Sequence, residues 1–284
     1  MKVPRFSSVV HAVLARLKPG GVRCLLAALT GMSMTLALLP LAAQADAPPI
    51  RNIVLVHGAF VDGSSWQRVV PELARLGYHV TAVQNPLTSL EDDVRATQRV
   101  LERQHGDVLL VGHSWGGAVI TQAGNAPNVK GLVYLSALAP DSGESVDDLL
   151  HRLKAPMTGL TPDAHGLVWL DDPDAFHEVM GNDLSKELAH SLAALQQPIA
   201  VVAFTGKVRH AAWRDKPSWY LRTGQDHALR PEVQQAIAQH INAQVRSIES
   251  SHLSMLSHPR DVVVLLDEAA RQAGADQRST TPNR

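Results

Sequence analysis

Between residues 52 and 139, short apolar runs alternate with longer segments whose apolar positions recur at helical spacing. The runs are rich in β-branched residues and predict buried strands at Asn52–Val56, Tyr78–Val83, Val108–Val111 and Val129–Leu135. The segments between them predict helices, one that starts at Ser65 and one that opens with a Thr88-x-x-Glu91 capping box. This alternation is typical of an α/β fold with a doubly wound, mostly parallel sheet.

The alternation stops after Leu135 and returns only at Ser218. Residues 140–216 contain no clean buried strand, but short helical patterns predict helices at Asp147–Leu153, Asp174–Met180 and Ser185–Leu195. A long insertion of this kind is usually functional, so we predict that residues 140–216 form a helical cap. The alternative is a structural excursion that packs on one face of the sheet.

The last part of the chain resumes the strand–helix pattern. Strands are predicted at Ser218–Thr223 and Gln244–Ile248, and helices run from Pro231 to about His240 and from Pro259 to Ala270. The predicted core therefore has two parts, residues 46–139 and residues 217–272, on either side of the cap. Residues 273–284 are polar, and we predict that they form a disordered tail.

The N-terminal 45 residues differ from the rest of the chain. No acidic residue precedes Asp46, and an uncharged segment from Leu25 to Ala43 ends near the helix-breaking Pro40 and an Ala43-Gln44-Ala45 sequence. This layout predicts a secretory signal peptide at residues 1–45, cleaved near Ala45, and hence export to the periplasm or the medium. The alternative is an uncleaved anchor, which is the one case in which we expect a membrane as a partner.

Composition excludes some function classes and leaves others open. The 284 residues carry a net charge of −1, which offers no argument for nucleic-acid binding. Neither a phosphate-binding loop nor a dinucleotide fingerprint occurs, and the histidines and carboxylates have no metal-ligand spacing. We therefore expect no cofactor and no metal, and the sequence makes no prediction about oligomeric state.

The stretch from Val108 to Gly124 carries the strongest chemical pattern. An apolar strand runs into Gly112-His113-Ser114-Trp115-Gly116, a G-x-S-x-G turn, and a helix of small residues follows. Such a turn lifts a serine hydroxyl above the edge of a sheet, and glycines flank it because side chains there would collide with strand and helix. We predict that Ser114 is a catalytic nucleophile.

A serine hydroxyl needs a base, and the base needs an orienting acid. Asp226 follows the strand at Ser218–Thr223, and His252 follows the last strand, so both are expected at the sheet edge that carries Ser114. The chain order Ser–Asp–His is also the one expected for a serine on such a turn. We predict Asp226 as the acid and His252 as the base, with Asp141 as the alternative acid.

An oxyanion that forms at the reacting carbonyl needs hydrogen-bond donors. The backbone N–H of Trp115, directly after the nucleophile, is the first predicted donor. The second is expected from the turn after the first strand, with Ala59 preferred and Phe60 next. His57 is expected to orient this turn, and His113 to fill space beneath Ser114.

These residues together resemble a known family. The sequences VLVHGAF-x-DGSSW, GHSWGG, GQD and SHLSMLSHP, which lie between Val54 and Pro259, are similar to those of the α/β-hydrolase superfamily. The pattern is most similar to small bacterial esterases related to plant methylesterases and hydroxynitrile lyases. The resemblance implies Ser114, Asp226 and His252 as a triad, Ala59 and Trp115 as oxyanion donors, a helical cap and no cofactor.

Motifs and resemblance lead to one functional hypothesis. We expect a serine hydrolase that cleaves small-molecule carboxylic esters through an acyl-enzyme. The alternatives are a cofactor-free haloperoxidase or perhydrolase, a hydroxynitrile-lyase-like enzyme, and a non-catalytic ligand receptor. The lyase is disfavoured because the family's lyases use a lysine near the histidine, and residues 251–257 contain none.

Overall fold

Each apolar run that predicts a strand is a strand of one sheet. In a computed structural model, which describes residues 50–279, the strands are β1 (Asn52–Val56), β2 (His79–Val83), β3 (Val108–His113), β4 (Val129–Leu135), β5 (Leu167–Val168), β6 (Ile199–Ala200), β7 (Ser218–Thr223) and β8 (Gln244–Ile248). The main sheet has six strands in the order β2-β1-β3-β4-β7-β8, and every neighbouring pair is parallel. The predicted α/β fold with a doubly wound parallel sheet is confirmed.

Helices connect these strands and cover the sheet. They are α1 (Val70–Arg75), α2 (Leu90–Glu102), α3 (Trp115–Ala123), α4 (Val146–Arg152), α5 (Pro173–Met180), α6 (Lys186–Leu195), α7 (Pro231–His240), α8 (Ser254–Ser257) and α9 (Pro259–Ser279). Short 3-10 helices lie at Gly63–Trp66, Val201–Thr205 and Ala212–Arg214. No helix within residues 50–279 combines the length and apolarity that a membrane crossing needs.

Burial of the central strands explains their continuous apolar runs. Every residue of β1 and β3 is buried, whereas the edge strands β2 and β8 are partly exposed. Because all six strands of the main sheet are parallel, their carboxyl ends meet at one edge of the sheet. The turn after β1, the residues after β3 and the loops after β7 and β8 are therefore brought to the same edge.

The insertion between β4 and β7 contains helices α4, α5 and α6 at the predicted places. Its strands β5 and β6 have only two residues each and pair antiparallel with each other, outside the main sheet. The helical content of residues 140–216 is thus as predicted, and their role as a cap over the site stays a prediction.

Two helix starts differ from the sequence prediction. The helix expected from Ser65 begins as a 3-10 turn, in which Asp62 Oδ1 accepts the Ser64 N–H at 2.8 Å, and α1 starts only at Val70. Helix α2 is capped by Ser89, whose Oγ accepts the Asp92 N–H at 3.0 Å, and not by the Thr88–Glu91 box. In both cases the side chain of a neighbouring polar residue accepts a hydrogen bond from a free N–H group at the helix start.

The predicted tail is wrong as far as Ser279, because α9 continues to that residue. Ala273 is fully buried, and Gln272 Oε1 accepts a hydrogen bond of 3.0 Å from the indole of Trp219 on β7. The small residues of this last helix fit closely on the sheet, which outweighs the polarity of the sequence. Residues 280–284 and the predicted signal peptide, residues 1–45, lie outside the described residues.

A pair of buried tyrosines ties β7 to the chain that leaves β4. The Tyr220 hydroxyl donates to the carbonyl of Ala137 at 2.8 Å and accepts the N–H of the same residue at 2.9 Å. The ring of Tyr134 stacks on that of Tyr220 with centroids 6.3 Å apart, and its hydroxyl is hydrogen-bonded to that of Thr121 at 3.0 Å.

Replacing Tyr220 with Phe should lower the free energy of unfolding by about 1–3 kcal/mol, because two buried backbone groups lose their partner. Tyr134→Phe is the matched control and should cost less, since Thr121 keeps a second hydrogen bond to the carbonyl of Gly117. Urea unfolding of both variants measures the difference. Equal losses would show that the Ala137 contacts carry no special weight.

Candidate active site

Ser114 sits between β3 and α3 in a backbone conformation that is rare for its residue type. Its φ is 52° and its ψ is −120°, so its backbone is strained. Contacts on both sides hold it: its N–H donates to the carbonyl of Leu135 at 3.1 Å, and its carbonyl accepts from Leu138 at 3.1 Å and Gly117 at 2.9 Å. The turn is the one predicted from the G-x-S-x-G pattern.

The surrounding backbone leaves no room for a side chain at the glycine positions around Ser114. A Cβ at Gly116 would lie 2.5 Å from the carbonyl oxygen of Val56, and one at Gly112 would lie 2.5 Å from that of Gly116. Both obstacles are backbone atoms that cannot rotate away. The close approach of β1, β3 and α3 at this turn therefore depends on these two glycines.

Asp226 and His252 are in direct contact at the same edge of the sheet. Asp226 Oδ2 lies 2.7 Å from His252 Nδ1, and both side chains are almost completely buried. Because an ionised carboxylate only accepts hydrogen bonds, this contact places a proton on Nδ1 and leaves Nε2 free to accept one. The pair thus has the geometry of an oriented general base.

A buried network fixes the Asp226 carboxylate on both oxygens. Oδ2 also accepts from Thr223 Oγ1 at 2.8 Å and from Gln234 Nε2 at 2.9 Å, while Oδ1 accepts the N–H groups of Ala228 at 2.9 Å and Leu229 at 2.8 Å. The sequence analysis missed Gln234, which lies on α7. A single buried glutamine on a helix has no local signal that separates it from its exposed neighbours.

The backbone of His252 is held by two residues of the core. His113 Nε2 donates to the His252 carbonyl at 2.9 Å, and Ser136 Oγ donates to it at 3.3 Å. The rings of His113 and His252 lie 4.7 Å apart between centroids. Burial holds the pKa of His113 well below its usual value, so the ring is neutral and Nε2 carries its single proton. His113 therefore supports His252, a role beyond the predicted space filling.

Ser114 and His252 are brought to the same edge by this contact, because His113 directly precedes Ser114. In the described part of the chain, the Ser114 hydroxyl makes no hydrogen bond to His252. Catalytic hydrogen bonds are often long without a substrate and shorten in the complex. The catalytic triad thus stays a prediction, of which the structure displays the Asp226–His252 contact.

The turn after β1 is ordered by His57 and Asn85. His57 Nδ1 donates to the carbonyl of Gly58 at 2.9 Å, and its Nε2 accepts the Asn85 N–H at 2.9 Å. Burial lowers the pKa of His57, so this neutral ring is suited to the orienting role expected for it. The turn packs tightly on Ser114, since a Cβ at Gly58 would lie 2.8 Å from the Ser114 Cβ.

The predicted oxyanion donors have free backbone N–H groups. Among residues 50–279, none of the N–H groups of Ala59, Phe60 and Trp115 donates a hydrogen bond to the protein. Phe60 has a positive φ of 62°, which gives this turn its sharp bend. Free, buried backbone donors are unusual, and near a nucleophile they are what a developing oxyanion requires.

A buried carboxylate that the sequence analysis did not single out holds Trp115. Asp93 Oδ2 accepts from the Trp115 indole at 2.7 Å, and Oδ1 accepts the Leu87 N–H at 2.8 Å. Burial raises the pKa of Asp93 to about 6. Asp93 thus anchors the residue after the nucleophile to α2.

Asp141, the alternative acid, is placed elsewhere. Its carboxylate pairs with Arg214 Nε at 2.7 Å and lies 3.4 Å from His240 Nε2, on an open groove of about 490 Å³. The Arg214 guanidinium holds the pKa of Asp141 below its usual value. The acid in contact with His252 is therefore Asp226. Across residues 50–279, no group of three or more His, Cys, Asp or Glu side chains is placed to hold a metal ion.

The chain matches a known protein family over most of its length. Residues 53–265 match the family described as "Alpha/beta hydrolase family". The chain belongs to this family. The predicted resemblance is thereby confirmed.

Relatives of this α/β hydrolase include enzymes named for ester cleavage. "Alpha/beta hydrolase nvfD" of Aspergillus novofumigatus is 29% identical over 243 residues, which cover 78% of this chain and 97% of the relative. The carbendazim hydrolyzing esterase of a Nocardioides strain is 34% identical over 119 residues, 37% of this chain and 49% of the relative. Polyneuridine aldehyde esterase of Rauvolfia serpentina is 24% identical over 250 residues, 77% of this chain and 95% of the relative.

The fold of this α/β hydrolase is also similar to that of a solved structure. The crystal structure of polyneuridine aldehyde esterase superimposes with a TM-score of 0.68 at 21% identity, covering 77% of this chain and 98% of the other.

Gln234→Met should lower the free energy of unfolding by about 1.5–3 kcal/mol, because it removes a buried hydrogen bond to a charged carboxylate. The matched control is Gln239→Met, at an exposed position on the same helix, which should leave stability nearly unchanged. Urea unfolding measures both variants. A stable Gln234→Met protein would mean that Asp226 is adequately held by its other donors.

The contribution of Asp93 to stability should fall as pH rises. Its folded pKa of about 6 lies above the ordinary 3.8, so Asp93 favours the folded state below pH 4 and loses that effect through pH 6. Relative to the non-titrating Asp93→Asn, the wild type should lose up to about 3 kcal/mol between about pH 4 and about pH 7.5.

Urea unfolding of the wild type and of Asp93→Asn at both pH values tests this linkage. The variant should be the less stable protein at low pH, because its amide presents an N–H to one of the two donors. A stability difference that does not change with pH would contradict the raised pKa.

Proposed function

We propose that this α/β hydrolase is a serine esterase that cleaves small-molecule carboxylic esters through an acyl-enzyme. The observation that carries the proposal is the buried Asp226–His252 pair, at the sheet edge that also holds the strained Ser114. The free N–H groups of Ala59 and Trp115 at that edge support it. Its relatives include proteins named esterases, which favours esters as the substrate class.

In the first half of the proposed reaction, His252 Nε2 takes the proton of the Ser114 hydroxyl as Oγ attacks the ester carbonyl. Asp226 stabilises the imidazolium that results. The N–H groups of Ala59 and Trp115, with Phe60 as the alternative to Ala59, bind the oxyanion. Each such donor contributes about 3–4 kcal/mol to the transition state.

Collapse of this intermediate expels the alcohol, which takes its proton from His252 Nε2. The acyl group remains on Ser114. In the second half, His252 removes a proton from water, the hydroxide attacks the acyl carbonyl, and Ser114 recovers its proton as the acid leaves. The balance is one ester and one water consumed and one acid and one alcohol formed, which requires no cofactor.

The neutral state of the surrounding histidines favours this mechanism. Burial lowers the pKa of both His57 and His113, so neither adds a positive charge beside the imidazolium of His252. A charged neighbour would make that imidazolium harder to form. The proposed base thus forms its cation against Asp226 without an opposing charge on either of these two histidines.

Ser114→Ala should lower the turnover of short p-nitrophenyl esters at least about 10⁴-fold, since the acyl-enzyme cannot form. Ser191→Ala, on the outside of α6, is the control and should keep wild-type turnover. Circular dichroism and urea unfolding check that both variants are folded. Undiminished ester cleavage by folded Ser114→Ala would overturn the proposal.

Assays of the wild type with a cyanohydrin, and measurement of ester binding, separate the alternatives from esterase activity. Cyanohydrin cleavage without ester cleavage by the wild type would favour a lyase. Ester binding without turnover would favour a receptor.

A further inference from the structure

The segment of the cap from Glu178 to Asp183 is docked on the loop that carries Asp226. His227 Nδ1 donates to the Glu178 carbonyl at 2.9 Å, and the Asn182 amide donates to the Gln225 carbonyl at 3.2 Å. Gln225 and His227 are the immediate neighbours of Asp226. The cap therefore holds the chain on both sides of the proposed acid.

The same segment holds the chain on both sides of His252. Asp183 Oδ2 accepts the Ser251 N–H at 2.9 Å, and the Met180 carbonyl accepts the Leu253 N–H at 3.2 Å. From the opposite side, the core holds the His252 carbonyl through His113. The proposed base thus lies between core and cap, and its backbone is tied to each.

Within residues 50–279, Asp183 is the only cap residue whose side chain hydrogen-bonds to the backbone of residues 251–253, called here the His252 loop. Asp183 does not cap either adjoining helix, since Asp172 caps α5 and Ser185 caps α6. Its second oxygen, Oδ1, is buried without a hydrogen-bond partner in the described part of the chain. An unpartnered buried carboxylate oxygen is unfavourable for stability, so Asp183 is poorly explained as a residue that only stabilises the cap.

The side chain of His258 also lies near the Asp183 carboxylate. His258 Nδ1 lies 3.5 Å from Asp183 Oδ2 and 2.9 Å from Ser257 Oγ. His258 follows α8, which begins directly after Leu253. Both ends of the segment from Ser251 to His258 therefore face the same carboxylate.

We propose that Asp183 is a positioning residue for His252. It locks the Ser251–Leu253 backbone to the cap, so that docking of residues 178–183 sets the place of the proposed base relative to Asp226 and Ser114. The inference rests on the proposed function, since it assigns His252 as the base. Without the Asp183 carboxylate, the Ser251 N–H loses its partner and the His252 loop gains freedom. Misplacement of a reacting group by about 1 Å can lower a rate about 10²-fold.

The test compares Asp183→Ala with Asp183→Asn, which keeps an oxygen that can accept the Ser251 N–H. The matched control is Asp172→Ala, which removes a carboxylate that accepts the Ala175 N–H at 2.7 Å in the same cap but lies on no catalytic loop. Three quantities are measured on the full chain: kcat and KM for a p-nitrophenyl ester, the urea midpoint, and amide hydrogen exchange of the peptide spanning residues 249–257.

Asp183→Ala should lower kcat about 10- to 100-fold with KM within about threefold of wild type, and should speed exchange in residues 249–257. Asp183→Asn should restore kcat to within about threefold of wild type. Asp172→Ala should lower the urea midpoint but keep kcat.

A wild-type kcat in Asp183→Ala, or an equal loss of kcat in Asp172→Ala, would overturn the inference while Ser114-dependent ester cleavage still stood. If the wild type cleaves no ester in a Ser114-dependent manner, the proposed function fails. Hydrogen exchange then decides the inference by itself: faster exchange in residues 249–257 of Asp183→Ala supports the lock, and unchanged exchange refutes it.

Discussion

The strained backbone of Ser114 depends on all the elements that meet around it. A non-glycine residue with a φ of 52° costs on the order of 1–3 kcal/mol, so its neighbours must over-determine it. Leu135 at the end of β4, Leu138 beyond it and Gly117 in α3 each hydrogen-bond its backbone. The turn can form only where β1, β3 and α3 approach to backbone contact, which is why glycine occupies positions 112 and 116. The sheet thus serves as the support for one strained residue.

The proposed base, His252, is likewise held by hydrogen bonds from several elements. His252 is held by its carbonyl from the core, by its ring from Asp226, and by the N–H groups on either side from the cap. These hydrogen bonds restrict His252 from three directions. The insertion that is predicted to cover the site also contacts the loops of Asp226 and His252.

Much of this was predictable from the sequence, and the successes have a common cause. The apolar runs of β1, β3 and β4, the G-x-S-x-G turn and the position of Asp226 directly after β7 are patterns within a few residues of each other. The Asp226–His252 contact was predictable because parallel strands bring their carboxyl ends to one edge. The misses lie where two local choices compete or where the partner is distant. Ser89 caps α2 where Thr88 was expected to, and Ala273 is buried although it begins the segment predicted to be a disordered tail.

The sequence by itself therefore determined the strands of the main sheet, the turn at Ser114 and the three residues proposed for catalysis. Only the tertiary structure decided which polar side chains hold them. Asp93 lies in an acidic first turn and looks like an ordinary helix-terminal charge beside Glu91 and Asp92, yet it is buried against Trp115. Gln234 and Asp183 likewise resemble solvent-facing residues. The physical reason is that a hydrogen bond is set by the packing of elements far apart in the chain, which leaves no periodicity for a sequence pattern to show.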